Sequence, residues 1–334
     1  MNSKKIVNTA NFVKLLTKYK EYNVVGHIRP DGDCVGSQLA IANILEQLGI
    51  KCNVIKNSNV GRVLSRFFDG YELINNNEMN ISLPLICVDC SDFRRTGDYI
   101  SGNYKVMPYI CIDHHTSNDR FAENNIINTS AAATAEIIAD LMLQNGIKFN
   151  QKISNLLYLG IMTDTNRFAY ETTTKNTLRI VEHLVDNGAN LSSTYYDVYE
   201  HDSIERYRAL EIFLKNICVF ANGKCCISHL TFDDLENAGA RHSDTEGFVN
   251  YARQLDGVDI GAFLEFNKDY INCSMRAKSP RFRIDIFAKK FGGGGHPAAS
   301  GFTLKNFPKN FYEIFKLELA NYVQSFDENN DSER

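Results

Sequence analysis

The stretch YNVVGHIRPDGDCVGSQLAIANILEQLG, residues 22–49, predicts the fold of the first half of the chain. Its apolar start is typical of a strand, and the periodic apolar residues from Ser37 to Leu48, ended by Gly49, indicate a helix. A turn between the two needs a glycine and a capping residue. It does not need three side chains that are good metal ligands, which here are His27, Asp31 and Asp33.

The same alternation of strand and helix continues along the first half of the chain. Short apolar runs predict three more strands, at 52–55, 83–89 and 107–113. Periodic stretches predict three more helices, at 132–144, 151–163 and 175–187. Continuous apolar strands separated by helices are typical of a parallel sheet covered on both faces. We therefore expect an α/β fold.

The second half has a different pattern. From about residue 217, strands of alternating polarity predict a smaller α/β domain with a mixed or antiparallel sheet. The polar segment before it, rich in tyrosine and charge, predicts a helical connection between two domains. The expected organisation is a parallel-sheet domain at 1–190, a helical linker at 191–215, a smaller mixed-sheet domain at 216–325 and a polar tail at 326–334.

Composition narrows the class of protein. A chain of 334 residues with 44% hydrophobic residues is long enough for two cores, and its net charge of −4 makes any attraction for phosphate local. No run approaches the length of a membrane span, and the N-terminus has no signal-peptide pattern. Nine cysteines, scattered in apolar runs, favour reduced thiols in the cytoplasm. The CxxC pair, Cys87 and Cys90, has no second pair, so we expect both in the core.

Metal-binding side chains follow several of the predicted strands. In open α/β sheets the ligand site lies beyond the carboxyl ends of the strands. His27, Asp31 and Asp33 follow the first strand, Asp89 follows the run at 85–88, and a predicted helix delivers Asp164. The run at 109–112 is followed by Asp113, His114 and His115.

Each of these residues alone is more simply interpreted as a helix cap or a solvated side chain. Together they would repel one another unless cations neutralised them. Carboxylates with some imidazoles suit Mn²⁺ or Mg²⁺ better than a thiolate-seeking ion. The number of oxygens suffices for two ions, the arrangement used in metal-assisted phosphoester hydrolysis, where a bridging water is activated.

Five motifs resemble those of one family. HIRPDGD (27–33), VDCSD (88–92), IDHH (112–115) and GIMTD (160–164), in this order, resemble the four motifs of the DHH phosphoesterase superfamily. GGGGHPAASGF (292–302) resembles the glycine-rich signature of the DHH-associated domain. In size the chain is similar to the standalone NrnA-type oligoribonucleases and pAp phosphatases, and not to the much larger RecJ nucleases.

The resemblance implies a role for each residue that matches a motif. One Mn²⁺ would be held by His27, Asp31 and Asp89, and a second by Asp33, Asp89, His114 and Asp164, with Mg²⁺ or Co²⁺ as substitutes. Asp113 would orient the neighbouring imidazoles. His115 would face the scissile phosphate. The catalytic residues are thus expected to be His115, Asp113 and Asp89.

A local positive patch lies in the second half. Residues 274–290 carry six basic residues against one acid, with Phe282 and Phe287 between them. The glycine run predicts an anion-binding nest, and the segment after it is able to start a helix that adds positive potential. With the resemblance, this predicts a set of residues that bind substrate: Ser274, Arg276, Gly293, Gly294, Gly295 and His296. Arg167, beside Phe168, is expected to add a charge at the mouth of the cleft.

The leading interpretation is a cytoplasmic Mn²⁺-dependent phosphoesterase that degrades short RNA or dinucleotides to 5′-mononucleotides and converts pAp to AMP. The alternative substrate is c-di-AMP or linear pApA, cleaved by the same chemistry. A family II pyrophosphatase is less favoured, because its second domain would lack the glycine loop. An RNA- or tRNA-binding module without turnover is the alternative from another class. We expect no membrane partner, and a homodimer is among the states left open.

Overall fold

The computed structural model describes residues 5–6, 11–58 and 60–331. The chain divides into two units, Met1–His201 and Asp202–Arg334. In the part of the chain that is described, no helix is both long enough and apolar enough to cross a membrane. The last helix runs on to Asp331, so it includes most of the predicted polar tail; residues 332–334 of that tail lie outside the described residues.

The strands of the first unit form one parallel sheet. Within the described residues they are β1 (Lys5–Ile6), β2 (Glu21–Val25), β3 (Lys51–Lys56), β4 (Leu73–Asn75), β5 (Leu85–Val88), β6 (Ile110–Asp113) and β7 (Asn124–Ile127). They pair in the order β1-β7-β6-β5-β2-β3-β4, and every neighbouring pair is parallel. The prediction of a parallel-sheet α/β domain is confirmed.

The helices of the first unit are α1 (Phe12–Leu16), α2 (Gly32–Gln47), α3 (Arg62–Ser65), α4 (Asp98–Asn103), α5 (Thr134–Asn145), α6 (Gln151–Asp164), α7 (Lys175–Asp186) and α8 (Leu191–Tyr199). Short 3-10 turns lie at 66–68 and 93–96. Helix α2 is buried along Gly32–Leu45, in the core that it shares with α5 and α6. At Gly36, α2 and α6 approach so closely that a Cβ would collide with the Leu156 carbonyl oxygen.

The order of the strands explains where a site can form. After β2, the chain adds β3 and then β4 on one side of that strand. The next strand, β5, pairs with the opposite side of β2. The carboxyl ends of β2 and β5 therefore meet at the point where the strand order reverses. In doubly wound sheets, the loops that leave two such strands diverge and open a crevice that binds ligands.

The second unit contains a mixed sheet. Its strands are β8 (Cys218–Phe220), β9 (Cys225–Thr231), β10 (Ile260–Phe266), β11 (Tyr270–Ala277), β12 (Gly294–His296) and β13 (Ala299–Lys305). They pair in the order β12-β13-β11-β10-β9-β8, with β9 and β10 parallel and the other neighbours antiparallel. A smaller domain with a mixed sheet is confirmed.

Five helices accompany this sheet among the described residues: α9 (Ile204–Lys215), α10 (Phe232–Ala238), α11 (Phe248–Gln254), α12 (Ile284–Lys289) and α13 (Phe311–Asp331). Short 3-10 turns lie at 242–245 and 280–282. Burial alternates strictly along β11, with Ile271, Cys273, Met275 and Ala277 facing the core. The intervening residues therefore lie on the less buried face of the sheet.

Candidate metal centre and phosphate-binding face

His27 and Asp89 lie directly beyond the neighbouring strands β2 and β5. His27 Nε2 is 3.3 Å from Asp89 Oδ2 and 3.7 Å from Asp31 Oδ2. The Nδ1 atom of His27 lies 2.9 Å from the Ile28 carbonyl oxygen, to which it donates, so Nε2 is the ring nitrogen that faces the two carboxylates. Asp31 also caps α2, because its Oδ1 accepts the Cys34 amide at 3.0 Å. One oxygen of Asp31 thus caps the helix, while its other oxygen faces the His27 imidazole.

Asp89 lies at the centre of the cluster. It is buried, and its backbone adopts a left-handed conformation with φ 56°. Its Oδ1 is 3.7 Å from His114 Nε2 and 3.6 Å from His115 Nδ1, and it accepts a hydrogen bond from the Thr134 hydroxyl at 3.0 Å. Its two oxygens therefore face histidines from different strands of the sheet.

Asp33 is held by the start of helix α5. Its carboxylate is fully buried and accepts the backbone amides of Thr134 at 2.6 Å and Ala135 at 2.9 Å. The Ser37 hydroxyl donates to it as well, at 3.2 Å. At Gly160 in α6, a Cβ would lie 2.6 Å from Asp33 Oδ1, so the absence of a side chain leaves room for the carboxylate.

Asp164 completes the cluster at the end of α6. Its Oδ2 lies 3.2 Å from His114 Nε2. Among the described residues, three groups place ligand atoms within 4.8 Å of one another, as a metal ion requires: His27, Cys34 and Asp89; Asp89, His114 and His115; and Asp33, His114 and Asp164. Asp89 belongs to two of these groups, so it is positioned to bridge.

His115 has a carboxylate partner of its own. Its Nδ1 lies 2.7 Å from Asp113 Oδ1, and Asp113 is fully buried. The other oxygen of Asp113 accepts from the Asn118 side chain at 2.7 Å. Burial opposes protonation of His115, but the hydrogen bond to Asp113 and the charge of Asp89 outweigh it and raise its pKa. The imidazole is therefore oriented and favoured in its charged form.

The buried aspartates of the cluster disfavour one another's ionisation. Burial, followed by the charge of Asp89, raises the pKa of Asp33 well above its usual value. Burial and the charge of Asp33 do the same for Asp164. Burial also opposes ionisation of Asp89, but hydrogen bonding and attraction from His27 lower its pKa. In the described chain, the ion-pair partners of Asp31, Asp89 and Asp164 are histidines. Such a set of oxygen and imidazole donors fits divalent cations.

The sequence did not single out three residues that support the cluster. Thr134 and Ser37 bond to the carboxylates, and Asn118 bonds to Asp113. The only available signals were that Thr134 lies inside a predicted helix start and that Asn118 follows His115 by three positions. Threonine, serine and asparagine are common at such positions for capping alone, so their spacing does not distinguish the two roles.

In the second unit, two basic residues lie in one row of the sheet. Arg276 in β11 and His296 in β12 are both paired with Ala299, which lies between them in β13. Opposed residues of antiparallel strands project to the same face. Two strand spacings, roughly 10 Å, therefore separate the backbones of Arg276 and His296, with a single methyl group between them.

The next row of the same face contains small residues. Ser274 and Gly294 are both paired with Gly301. A Cβ at Gly294 would meet no atom within 4 Å, whereas a Cβ at Gly295, whose φ is +139°, would lie 2.6 Å from the Ala299 carbonyl oxygen. At Gly293 it would collide with the Gly301 carbonyl oxygen. The glycines thus allow a close hairpin and leave its surface open.

One detail of the predicted phosphate-binding segment is wrong. The residues after the glycine run start strand β13 and not a helix, because His296 and Ala299 pair within a hairpin. Phe282 and Phe287, which lie between the basic residues in the sequence, are buried in the core of this unit, and the Arg281 guanidinium lies 4.6 Å from the centre of the Phe282 ring. One of the six basic residues is neutralised locally: Arg283 forms two hydrogen bonds with Asp285, at 2.8 and 2.9 Å.

Arg167 follows the cluster in an unusual backbone segment. Asn166, Arg167 and Phe168 all have positive φ, of 47°, 62° and 67°. The Arg167 guanidinium lies 4.9 Å from the centre of the Tyr199 ring and bonds to the Asn166 side chain at 3.0 Å. Phe168 packs at the edge of the first core. The backbone of residues 166–168 is thus a tight turn, in which contacts with Tyr199 and Asn166 hold the Arg167 side chain.

Comparisons with known proteins agree with this architecture. Residues 22–161 match the DHH family, N-terminal domain, and residues 222–323 match the DHHA1 domain. The bifunctional oligoribonuclease and PAP phosphatase NrnA of Bacillus subtilis is 29% identical over 297 residues, which cover 87% of this chain and 92% of the relative. The protein of the same name from Thermus thermophilus is 29% identical over 285 residues, which cover 84% of this chain and 83% of that protein.

Solved structures show the same fold. An exopolyphosphatase-related protein from Bacteroides fragilis superimposes with a TM-score of 0.86 at 24% identity, covering 94% of this chain and 96% of that one. Exonuclease RecJ bound to manganese gives a TM-score of 0.54 at 12% identity, covering 96% and 95%. With both domain matches in the order that the motifs predicted, the chain carries a DHH family N-terminal domain at 22–161 and a DHHA1 domain at 222–323.

Proposed function

We propose that this chain is a Mn²⁺-dependent phosphoesterase that hydrolyses short oligoribonucleotides to 5′-mononucleotides and pAp to AMP. The observation that carries the proposal is the position of Asp89, whose Oδ2 faces His27 while its Oδ1 faces His114. A carboxylate with this position is what a two-metal phosphoesterase needs. The names of the NrnA relatives support the substrates, because they describe an oligoribonuclease and PAP phosphatase.

The cluster would hold two cations that share Asp89 as a ligand. One would be held by His27, Asp31 and Asp89, and the other by Asp33, Asp89, His114 and Asp164. When bound, such ions supply Lewis acidity at the phosphate and promote deprotonation of the attacking water. The protein fixes the ligands in advance: two backbone amides hold Asp33, and the Thr134 hydroxyl holds Asp89.

His115 is the residue that donates a proton or a hydrogen bond to the substrate. Asp113 accepts from Nδ1, which leaves Nε2 as the donor toward a phosphoryl oxygen or the leaving group. The raised pKa of His115 favours the charged form of this donor. Asp113 therefore acts through the imidazole, by orienting it and stabilising its positive charge.

The second unit would bind a phosphate that does not react. Arg276 and His296 project from the same face of its sheet, and the small residues Ser274, Gly294 and Ala299 leave space beside them. A guanidinium can bind a phosphate through two parallel hydrogen bonds. Gly293 and Gly295 support this role by permitting the close hairpin on which His296 lies. Within the first unit, Arg167 would supply a positive charge three residues after Asp164.

The proposal is tested by one panel of assays. The purified chain is stripped with EDTA, reloaded with Mn²⁺ or Mg²⁺, and incubated in parallel with pAp, an RNA dinucleotide, c-di-AMP and pyrophosphate. We expect hydrolysis of pAp and the dinucleotide with Mn²⁺ and none in EDTA. Hydrolysis that persists without metal would overturn the metal mechanism. Faster hydrolysis of c-di-AMP would show that c-di-AMP is the preferred substrate. Binding of these nucleotides without hydrolysis would show that the chain is a binding module.

A further inference from the structure

Cys34 lies inside the metal cluster, although thiols have no part in the function proposed above. It is the third residue of helix α2 and is completely buried. Its sulfur belongs to the group formed with His27 and Asp89, in which one ligand atom of each residue lies within 4.8 Å of the others. We propose that Cys34 is a latent sulfur ligand at this end of the centre, recruited by soft cations of the zinc and cadmium type.

Burial raises the pKa of the Cys34 thiol to about 11. Two features of the surroundings stabilise the thiolate once a cation has replaced the proton. The His27 backbone amide donates a hydrogen bond to Sγ at 3.2 Å. Cys34 also lies in the first turn of a 16-residue helix, whose N-terminal end carries partial positive charge. Binding then breaks the S–H bond, releases the proton to solvent and forms a metal–sulfur bond, without any change of oxidation state.

The geometry allows the sulfur to replace an oxygen ligand. A tetrahedral soft ion has metal–sulfur distances of about 2.3 Å and metal–nitrogen distances of about 2.0–2.1 Å, so the three ligand atoms need only a modest contraction. Asp31, which the proposed function assigns to the same ion, has a side chain that is 54% exposed. It can withdraw into solvent more easily than buried Cys34 can. The site would therefore provide two alternative ligand sets. Asp31 completes the harder one and Cys34 the softer one, each together with His27 and Asp89.

This arrangement makes Cys34 a residue that determines metal specificity. Mn²⁺ has little preference for sulfur, whereas zinc and cadmium bind thiolates strongly. We expect zinc and cadmium to displace Mn²⁺ from this position and to inhibit the enzyme, because an ion held by His27, Cys34 and Asp89 in tetrahedral geometry has only one open coordination position left for water and substrate together. The inference rests on the proposed metal centre.

The experiment is a titration of the reduced, metal-stripped, full-length chain with Cd²⁺, followed by the ultraviolet charge-transfer absorption of cadmium thiolate. The test variants are Cys34→Ala and Cys34→Ser, of which the serine retains an acceptor for the His27 amide. The matched control is Cys90→Ala, because Cys90 is also buried and follows Asp89 directly. Binding of Mn²⁺ is measured separately, from the paramagnetic resonance of the free ion, and again in competition with Zn²⁺.

We expect a thiolate band that saturates in the wild type and in Cys90→Ala and is absent from both Cys34 variants. The affinity of those variants for Zn²⁺ should fall at least about tenfold, while their affinity for Mn²⁺ stays the same as that of the wild type. A band that persists in them comes from another cysteine and would overturn the inference.

Cadmium that displaces Mn²⁺ without a thiolate band would also overturn it, while leaving the metal centre intact. If neither Mn²⁺ nor Cd²⁺ binds, the proposed function itself fails. Cadmium NMR of the wild type, whose shift distinguishes sulfur from oxygen and nitrogen ligands, decides the question even if the Cys34 variants do not fold.

Discussion

The Thr134 hydroxyl donates a hydrogen bond to Asp89 Oδ1 across 3.0 Å, and both side chains are buried. Thr134 is the first residue of α5, and its backbone amide also donates to Asp33. One residue therefore positions two carboxylates from different segments, Asp33 in helix α2 and Asp89 directly after strand β5. Partners of this kind are not ligands, but they fix the orientation of ligands and tune their basicity.

Thr134→Val should weaken metal binding by about 10–100-fold, because it removes the hydroxyl and keeps the shape of the side chain. The backbone amide that holds Asp33 is unaffected. The measurement is Mn²⁺ affinity by titration. The matched control is Thr134→Ser, which keeps the hydroxyl and should stay close to the wild type. Equal affinities in the valine and serine variants would contradict the role given to the hydroxyl.

Asp89→Asn should abolish turnover and leave the protein folded. The amide has the shape of the carboxylate and still accepts from Thr134, but the charge shared between the two metal groups is lost. Activity on pAp and a circular dichroism spectrum give the two readouts, and the exposed Asp98→Asn serves as the control. More than a tenth of the wild-type activity would be inconsistent with a bridging role for Asp89.

His115→Ala should lower kcat by about 10²–10⁴-fold, the usual contribution of a positioned acid or hydrogen-bond donor. The content of Mn²⁺ should stay unchanged, since the proposal places His115 on the phosphate. Metal analysis of the purified variant checks this. A variant that has lost one equivalent of manganese would show instead that His115 is a ligand, as its distance of 3.6 Å from Asp89 also permits.

Arg276→Ala and His296→Ala should raise KM on pAp and on a dinucleotide, with little change in kcat or metal content. The reason is that they bind a phosphate that is not transferred, so ground and transition states lose the same stabilisation. The difference from wild type should shrink at high salt, because the attraction is screened. Arg281→Ala, an exposed arginine of the same basic segment, is the control. An unchanged KM in both variants would remove the phosphate-binding role from this face.

The parallel sheet, and the position of several Asp and His side chains at one of its edges, were predictable because their signals are local. Buried parallel strands read as uninterrupted apolar runs, and the residues that follow them necessarily share one edge of the sheet. Once the runs at 22–25 and 85–88 are recognised, the proximity of His27 and Asp89 follows. The start of α2 was less predictable: the helix begins at Gly32, five residues before the first periodic residue, because Asp31 caps it.

The hairpin and the supporting hydrogen bonds were not predictable, because they depend on tertiary pairing. The segment GGGGHPAASGF has small residues that suit a helix start or a strand equally, and pairing of β13 with both β11 and β12 decides between them. Likewise, the contact of Thr134 with Asp33 joins residues 101 positions apart. Helix periodicity gives no indication of which distant carboxylate a helix start will meet.

The left-handed backbone at Asp89 has a consequence for the evolution of this family. Among residues with a side chain, aspartate and asparagine accept a positive φ with little strain, and β-branched residues do so poorly. In a lineage that no longer needs the carboxylate, the residue at this position could lose its charge, but it would still have to adopt a positive φ. Descendants of that lineage should carry asparagine or glycine there, so that the conformational requirement would survive after the charge had gone.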